Sequence, residues 1–510
     1  MSVDLPTDIF KVIIGFLDLR DVYAIKLVCR EFHDLTKTRA LWSSLVRRYV
    51  LNQCLPIPGL RGKVLDQLSA PELEQCLCRA LRLRRNWVSP LPAIVNRLTL
   101  PGIIPKTRIV SMHLIPNHER ALLLSLSMQT SPTRKFTLQC WDIEARPPVR
   151  LAAYECNRFR GSAVNKESRN GERVIAVLDP HLHILSLDDK LTSEAQDGRF
   201  VTTAVFPDET NTIQLFSGSS LLCRGNNGTM HLLDIDSPNS RIHLQSPHQA
   251  SPVLDVVITS EYILVLRSTH LEFYAITNHF PDNAPSVPTP NSPTAPTLHP
   301  LFIYQWQWRI DNAGMTIRRS VPGSTLRTPI SILLRYGSYF PWAINILHHY
   351  DLQPNHNYIP DSPTTQTNLP FEFPPVLRET IGSPVRLHAT SDMAIGSYGT
   401  AIWTDSHTED FYGHADRGQR VAGRFSRRNL RPSGSVKVER EREGEGLGTG
   451  VPEEEDEEGE DVSDQVASAV ATSVYVHQEE DSWVRIALDE TEGRIFLGRD
   501  DGCIEVLEYI

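Results

Sequence analysis

The first fifty residues show a helical pattern of apolar and polar positions. Leu5 and Pro6 form an extended entry, because proline suits a helix start and the residue before it avoids helical angles. Large apolar side chains then recur at spacings of three and four, at Ile9, Val12, Ile13, Phe16 and Leu17. Asp18 and Asp21 are candidate caps of a second helix, and a further apolar face follows at residues 41–45. The pattern predicts three short helices between residues 5 and 46.

This helical module is too small to bury all of its large apolar side chains. About 45 residues cannot form a large core alone. The side chains that cannot all be internal are Ile13, Phe16, Leu17, Leu41 and Trp42. Two alternatives stay open from the pattern alone: the surface faces a partner protein, or it packs on the C-terminal part of the same chain.

Separated anchors run through the module in a fixed order. They are Leu5-Pro6-x-x-Ile9, Ile13-x-x-Phe16-Leu17-Asp18, Leu27-Val28-Cys29-Arg30-x-Phe32 and Leu41-Trp42. Together they resemble the F-box motif over its full length, with Phe32 at a position where many members have tryptophan. The resemblance implies binding to a Skp-family adaptor and, through it, to a cullin–RING ubiquitin ligase. Carried over residue by residue, it implies adaptor contacts at Leu5, Pro6, Ile9, Ile13, Val28, Cys29, Leu41 and Trp42.

A helical linker is expected over residues 51–90, after the F-box at residues 1–50. Ser69 and Glu72 have capping-box spacing, and Pro71 lies in the first turn. The inward stripe comprises Leu73, Cys76, Leu77, Ala80, Leu81 and Trp87. Four arginines, Arg79, Arg82, Arg84 and Arg85, point largely elsewhere, and either complement the helix dipole or attract an anionic surface. We expect a stiff connector that fixes the angle between the F-box and the rest of the chain.

From about residue 91 the pattern becomes that of β-strands. Short apolar segments alternate with Gly, Asn, Asp, Ser and Pro, and the clearest strands are 121–126, 174–178, 262–266 and 332–336. Asn227-Gly228 and Asp501-Gly502 separate pairs of such segments, which predicts tight hairpins.

A repeat underlies these strands. Similar strand ends recur at Trp141-Asp142-Ile143, Leu185-Ser186-Leu187, Leu233-Asp234-Ile235 and Tyr274-Ala275-Ile276, at steps of 44, 48 and 41 residues. Such a period is typical of β-propeller blades with four strands each. Ile402-Trp403 and Val506-Leu507 are later candidates, with a degenerate blade expected at 301–350. Residues 91–510 therefore resemble a divergent WD-repeat propeller of about seven blades, although only Trp141-Asp142 matches the WD dipeptide; a pair of β-sandwiches is the alternative.

Two segments interrupt the predicted blades. Residues 280–300 are rich in proline and are expected to form a loop or disordered insert. Residues 407–466 begin with an arginine-rich part that includes Arg417, Arg420, Arg424, Arg427, Arg428 and Arg431. An acidic run with nine acids and no base follows, from Glu453 to Asp464. Without these nine acids the net charge of the chain would be about −1 instead of −10. Blocks of like charge are usually solvated, and the alternatives are a docking tail or a nuclear-import signal.

Catalytic and metal-binding motifs are not found in the sequence. The eight cysteines include no CxxC pair, which argues against a disulfide framework, a structural zinc site or a RING module. The chain has no Walker A loop, GxSxG, HExxH or dinucleotide motif, and we expect no metal, cofactor or nucleic-acid partner. The histidine pairs His181/His183 and His348/His349 are expected at the surface or in loops. No signal peptide and no apolar run of about 18 residues is seen, so we expect a cytoplasmic or nuclear protein.

These observations favour a binding function over catalysis. The first hypothesis is the substrate-recognition subunit of a Skp–cullin–F-box ubiquitin ligase, in which the C-terminal β domain binds a substrate protein. The second is an F-box scaffold that binds the adaptor without ubiquitin transfer. An enzyme with a ligand in the propeller channel is a third, weaker hypothesis. The sequence does not identify the substrate or say whether it must be phosphorylated.

Overall fold

The computed structural model describes most of the chain. It covers residues 7–102, 106–131, 133–188, 198–206, 210–225, 228–237, 241–276, 296–321, 327–337, 344–384, 392–407, 418–424, 467–469, 472–478 and 482–510. An N-terminal helical part is followed by a ring of small β-sheets. Within these ranges, no helix is both long and apolar enough to span a membrane.

Four helices form the N-terminal module, where the sequence predicted three. They are α1 (Thr7–Phe16), α2 (Leu19–Lys26), α3 (Arg30–Leu35) and α4 (Arg39–Tyr49). Asp18 precedes α2, as expected of a cap, but its carboxylate makes no bond to the helix backbone. Instead it accepts a hydrogen bond from the Tyr49 hydroxyl at 3.0 Å. The predicted cap therefore ties the start of α2 to the end of α4.

The connector helix α5 (Ala70–Trp87) follows two short 3-10 helices, Leu51–Gln53 and Leu65–Gln67. Its start is confirmed, because the Glu72 carboxylate accepts hydrogen bonds from the backbone nitrogen of Ser69 at 2.9 Å and from its hydroxyl at 2.7 Å. Most of its apolar stripe packs in the core of the helical module with α4. Leu83 and Trp87, near its end, instead join a core formed by the β-sheets. One helix therefore belongs to two hydrophobic cores.

Seven four-stranded sheets follow, numbered as blades 1–7 in chain order. Blade 1 contains β2 (Thr107–Leu114), β3 (Leu122–Gln129), β4 (Lys135–Asp142) and β5 (Val149–Cys156); blade 2 contains β6 (Gly161–Val164), β7 (Ile175–Asp179), β8 (His181–Leu187) and β9 (Gly198–Phe206). Blade 3 contains β10 (Thr210–Ser217), β11 (Ser220–Gly225), β12 (Met230–Asp234) and β13 (Arg241–Leu244); blade 4 contains β14 (Val253–Ile258), β15 (Tyr262–Arg267), β16 (His270–Ala275) and β18 (Phe302–Gln305). Blade 5 contains β19 (Ile310–Ile317), β20 (Ile330–Tyr336), β21 (Ile344–Leu352) and β22 (Val376–Pro384); blade 6 contains β23 (Met393–Ile395), β24 (Ala401–His407), β25 (Gly418–Arg424) and β27 (Thr472–Gln478). Blade 7 contains β28 (Trp483–Asp489), β29 (Arg494–Arg499), β30 (Ile504–Glu508) and, from the start of the domain, β1 (Asn96–Leu100).

The blades close into a ring. The first strands of blades 2 to 7 contact one another in succession, and β28 of blade 7 contacts β2 of blade 1. Blades 1 and 2 are joined by a parallel pairing of β5 with β9. Strand β1 pairs with β30 from Asn96↔Glu508 to Leu100↔Ile504, so the two ends of the domain share one sheet. This strand order is that of a seven-bladed β-propeller, as predicted, and it rules out a pair of β-sandwiches.

Two local expectations need correction. The predicted degenerate blade at 301–350 is blade 5, which runs from Ile310 to Pro384. Residues 418–424, inside the predicted charged insert 407–466, form the third strand of blade 6. The Arg420 guanidinium donates to the Asp405 carboxylate at 2.9 Å, so this charge is paired within the sheet. The acidic run itself lies outside the described residues.

The proline-rich insert and one of the two predicted hairpin turns lie partly outside the described residues. Two short additional strands, β17 (Thr297–Leu298) and β26 (Ala467–Ala469), add in parallel to blades 3 and 5. β17 lies at the end of the predicted proline-rich insert 280–300, so the expectation of a loop is wrong for these two residues. Most of the proline-rich insert, and Asn227 of one predicted hairpin turn, lie outside the described residues. The other predicted turn is confirmed, and Gly502 adopts φ +85° there.

Candidate protein-binding surface

The outer side of α1 is an unpartnered apolar stripe. Ile9, Val12, Ile13 and Phe16 are exposed, and Phe16 is 80% exposed. The spacing of three and four residues places these side chains on one side of the helix. Ile14, on the other side, is 2% exposed and packs in the module core. The stripe predicted from the sequence therefore exists, but it faces outward.

A second apolar group lies at the corner between α2 and α3. Leu27 is 85% exposed and Val28 68% exposed. The rings of Phe10 and Phe32 meet edge to face with centroids 5.6 Å apart, which holds α3 beside α1. We call Ile9, Val12, Ile13, Phe16, Leu27 and Val28 together the apolar face. Side chains of this size exposed in a group are typical of a protein-binding surface.

The residues implied as adaptor contacts fall into three groups. Ile9, Ile13 and Val28 belong to the apolar face, and Cys29 beside it is exposed. Leu41 and Trp42 are buried instead, and the indole nitrogen of Trp42 donates to the Thr36 carbonyl at 2.7 Å. Their side chains hold the module together and are not on the apolar face. Leu5 and Pro6 lie outside the described residues.

The contact set implied by the resemblance missed half of the apolar face. Val12 and Phe16 have the same helical spacing as Ile9 and Ile13, so the periodicity of the sequence placed them in the same stripe although the resemblance did not mark them as contacts. Leu27 carries no comparable signal, because its exposure depends on the corner between two helices.

Helix α2 is fixed to the connector by polar contacts. The Lys26 ammonium is 2.8 Å from the Glu74 carboxylate. The Tyr23 hydroxyl lies 3.0 Å from the Cys78 sulfur. Burial, and then the neighbouring Cys78, raise the pKa of Tyr23 above its usual value, so the phenol stays protonated and can donate. These contacts hold the corner that carries Leu27.

The linker and α5 dock on one end of the propeller, at the turn between β28 and β29. The Gly59 nitrogen donates to both Glu492 oxygens at 3.0 Å, and Arg61 pairs with Asp489. The Asn86 side chain donates to the Tyr509 carbonyl at 2.8 Å. Burial raises the pKa of Glu492, and this is opposed by the Gly59 hydrogen bond. The propeller therefore sets the orientation of α5, and α5 sets that of the apolar face.

Blade 5 contains a serine, a histidine and carboxylates in one chain of contacts. The Ser331 hydroxyl lies 2.5 Å from Nε2 of His349, which is 3.4 Å from the Asp351 carboxylate. These groups resemble a nucleophile with its base, but Ser331 is 1% exposed, so a substrate cannot reach it. They tie neighbouring strands together. The prediction that His349 is a surface or loop residue is wrong, because it is buried on β21.

No group of three or more metal-ligating side chains is found among the described residues. The other predicted histidine pair lies on β8, where His181 is exposed and His183 is half-buried. Neither pair is part of a candidate metal centre.

Comparisons with known proteins agree with the two-part organisation. Residues 3–48 match the F-box-like family model. No curated protein matches the chain. The chain is similar to a chain of the humanized mutant of the Chaetomium thermophilum Polycomb Repressive Complex 2 bound to the inhibitor GSK126, with 10% identity over 82% of this chain and 97% of that chain and a TM-score of 0.46.

Two propeller domains are also similar in fold. The WD40 β-propeller domain of Doa1 has 7% identity over 81% of this chain and 97% of that chain, with a TM-score of 0.41. The Cps50 (Swd1) β-propeller domain of Myceliophteria thermophila has 10% identity over 81% and 99%, also with a TM-score of 0.41. Because these TM-scores are below 0.5, the propeller is assigned from the strand order of the chain itself. The chain thus carries an F-box-like domain followed by a β-propeller.

Proposed function

We propose that this chain is the substrate-recognition subunit of a Skp–cullin–F-box ubiquitin ligase. Residues 1–50 would be the F-box, residues 51–90 the linker, and residues 91–510 the propeller that binds the substrate protein. The observation that carries the proposal is the apolar face, which lies within the F-box-like match. F-box domains generally bind Skp-family adaptors, and propellers generally bind proteins.

The apolar face is large enough to support such an interaction. Full burial of a leucine or phenylalanine side chain contributes about 1.5–3 kcal/mol. Phe16 and Leu27, each at least 80% exposed, would together supply about 4 kcal/mol, or roughly a thousandfold in Kd. The alternative that this surface packs on the chain's own propeller is not supported, because the contacts to the propeller come from the linker and α5.

The proposal assigns a positioning role to α5. A substrate held by the propeller would stand at a fixed angle to a ligase held by the apolar face, because α5 packs in both cores. Catalysis would come from the partners, and this chain would contribute proximity and orientation.

Co-purification tests the adaptor part of the proposal. Ile13→Asp and Val28→Asp each place a charge on the apolar face and should abolish recovery of a Skp-family adaptor from cells. Val205→Asp is the matched control, because Val205 is an exposed apolar residue on blade 2. Unchanged recovery with both face variants would disprove adaptor binding through this surface.

A scaffold that binds the adaptor without ubiquitin transfer is the second candidate function. It shares the apolar face, so adaptor binding does not separate the two. Partner half-life does: a receptor predicts that Ile13→Asp lengthens the half-life of proteins recovered with the propeller, whereas a scaffold predicts no change.

A further inference from the structure

A basic and aromatic cleft lies on the propeller between blades 1 and 2. It has a volume of about 460 Å³. We call it the arginine cleft; its lining residues are Arg134, Phe136, Asn157, Arg158, Phe159, Arg160 and Pro180. They come from the turn after β3, the connection from β5 to β6, and the turn after β7.

The arginine cleft is at the end of the propeller opposite the helical module. The linker that carries the helical module contacts blade 1 at the turn between β4 and β5, where Arg61 approaches Glu144 at 3.9 Å. Gly62 also lies beside Glu119, in the turn between β2 and β3. Because neighbouring strands are antiparallel, the turn after β3 and the exit from β5 lie at the other end. A protein bound there would not collide with the F-box module.

Aromatic rings form part of the lining. The rings of Phe136 and Phe159 pack with centroids 4.8 Å apart. The Arg134 guanidinium lies over the Phe136 ring at 5.1 Å from its centroid. The cleft thus offers both an apolar surface and a cation whose orientation is set by a ring.

The loop that carries Arg158 is held in place before any ligand binds. The Asp179 carboxylate accepts hydrogen bonds from the backbone nitrogens of Asn157 at 3.2 Å and Arg158 at 2.6 Å. The Arg160 guanidinium donates to the Pro180 carbonyl at 2.7 Å. Because the backbone is fixed, less conformational entropy is lost when a ligand binds.

The cleft carries a net positive charge. Lys135 pairs with Glu155 at 2.5 Å, and the one Asp179 carboxylate is outnumbered by Arg134, Arg158 and Arg160. Within the described part of the chain, neither Arg134 nor Arg158 forms an ion pair with a carboxylate. An arginine fork matches the geometry of a carboxylate and binds it with two parallel hydrogen bonds.

We propose that the arginine cleft binds an acidic segment of a partner protein, with carboxylates on Arg134 and Arg158 and an apolar or aromatic side chain between them. The proposal rests on the proposed function, because it identifies the class of substrate segment that the propeller would take. The two arginines lie on separate loops, which suits several carboxylates along an extended peptide.

The acidic run of this chain is a less suitable occupant. Asp464 is three residues before Ala467, which pairs with Glu379 at the outer edge of blade 5. Three residues span at most about 10 Å. In a seven-membered ring, blade 5 lies across from blades 1 and 2, so Ala467, the first described residue after the run, is on the far side of the ring from the arginine cleft.

The probe is a labelled peptide in which acidic pairs alternate with single phenylalanines. Its binding to the purified full chain is measured by fluorescence polarisation. The expected result is saturable binding that weakens as salt is raised and falls at least tenfold in Arg134→Glu/Arg158→Glu. The double variant Arg169→Glu/Arg309→Glu is the matched control, because both residues are exposed arginines away from the cleft. It should bind like the wild type.

Four outcomes would overturn the proposal. The first is no binding of the peptide to the wild type, and the second is equal binding of a peptide with glutamine and asparagine in place of the acids. The third is preference for a neutral peptide that carries one phosphoserine. The fourth is binding that appears only after the acids from Glu453 to Asp464 of the chain are replaced. The last would identify the chain's own segment as the occupant. The assay contains no adaptor, so its failure leaves the adaptor co-purification result unaffected.

Discussion

Substituting Gly493 by alanine should loosen the junction between α5 and the propeller. Gly493 lies in the turn between β28 and β29 with φ +67°. An added Cβ would lie well inside van der Waals distance of the Leu83 side chain on α5. Leu83 is fully buried in the core that the end of α5 forms with the β-sheets, so it cannot move aside without disturbing its neighbours.

The magnitude follows from these two effects. A left-handed conformation costs a residue with a Cβ about 1–2 kcal/mol. Overpacking in a dense core costs about 1–3 kcal/mol. Gly493→Ala should therefore lower the free energy of unfolding by about 2–5 kcal/mol. Gly62→Ala is the matched control: φ is +64°, but the nearest atom to its Cβ would be Glu119 Cγ at 3.5 Å, so only the conformational cost of about 1–2 kcal/mol applies.

A double-mutant cycle with Leu83→Ala separates the clash from the backbone strain. Urea unfolding followed by tryptophan fluorescence measures all four proteins. Leu83→Ala alone removes buried contacts, at about 2–5 kcal/mol, but it also makes room for the new methyl group. The double variant should be more stable than the sum of the single effects by about 1–3 kcal/mol. Additive effects would refute the assignment of Leu83 and Gly493 as packing partners.

Two further predictions concern buried charge. Burial raises the pKa of Glu490 to about 7, although the carboxylate accepts two backbone hydrogen bonds, so the folded state binds the proton more tightly than the unfolded state. The contribution of Glu490 to stability should then be fully present below about pH 4.5 and be lost, by up to about 1.4 kcal/mol per pH unit, as the pH rises toward 7. Glu490→Gln should remove this part of the slope in urea titrations at several pH values; an unchanged slope would contradict it. The second concerns Arg267, whose Nε is 2.8 Å from Glu272 with both side chains buried. Arg267→Met should lower the melting temperature through a loss of about 3–5 kcal/mol, and Arg267→Met/Glu272→Leu should recover part of it; a double variant no better than the single one would argue against an uncompensated Glu272 charge.

Local signals in the sequence predicted the local structure well. The capping box at Ser69 and the turn at Asp501-Gly502 depend on neighbouring residues only, and both are confirmed. The strand period also predicted the propeller, because every blade repeats the same four-strand unit.

Features that depend on distant partners could not be predicted in the same way. Periodicity found the stripe on α1 but not which way it faces, since that depends on Trp42 filling the core from α4. Arg420 was assigned to a solvated insert because its partner Asp405 lies fifteen residues away on a neighbouring strand. The arginine cleft has no sequence signature, because Arg134 and Arg158 line one cleft only when two loops come together.

The affinity of a purified Skp-family adaptor for Phe16 variants tests the central claim most directly. Because Phe16 is 80% exposed, Phe16→Ala should leave the melting temperature unchanged while removing about 2 kcal/mol of apolar contact with the adaptor. Isothermal titration should show a Kd about thirtyfold weaker than that of the wild type. Ile359→Ala, at an exposed apolar position on the propeller, should bind like the wild type. No binding by the wild type, or equal affinity of Phe16→Ala and the wild type, would contradict the apolar face as the adaptor site.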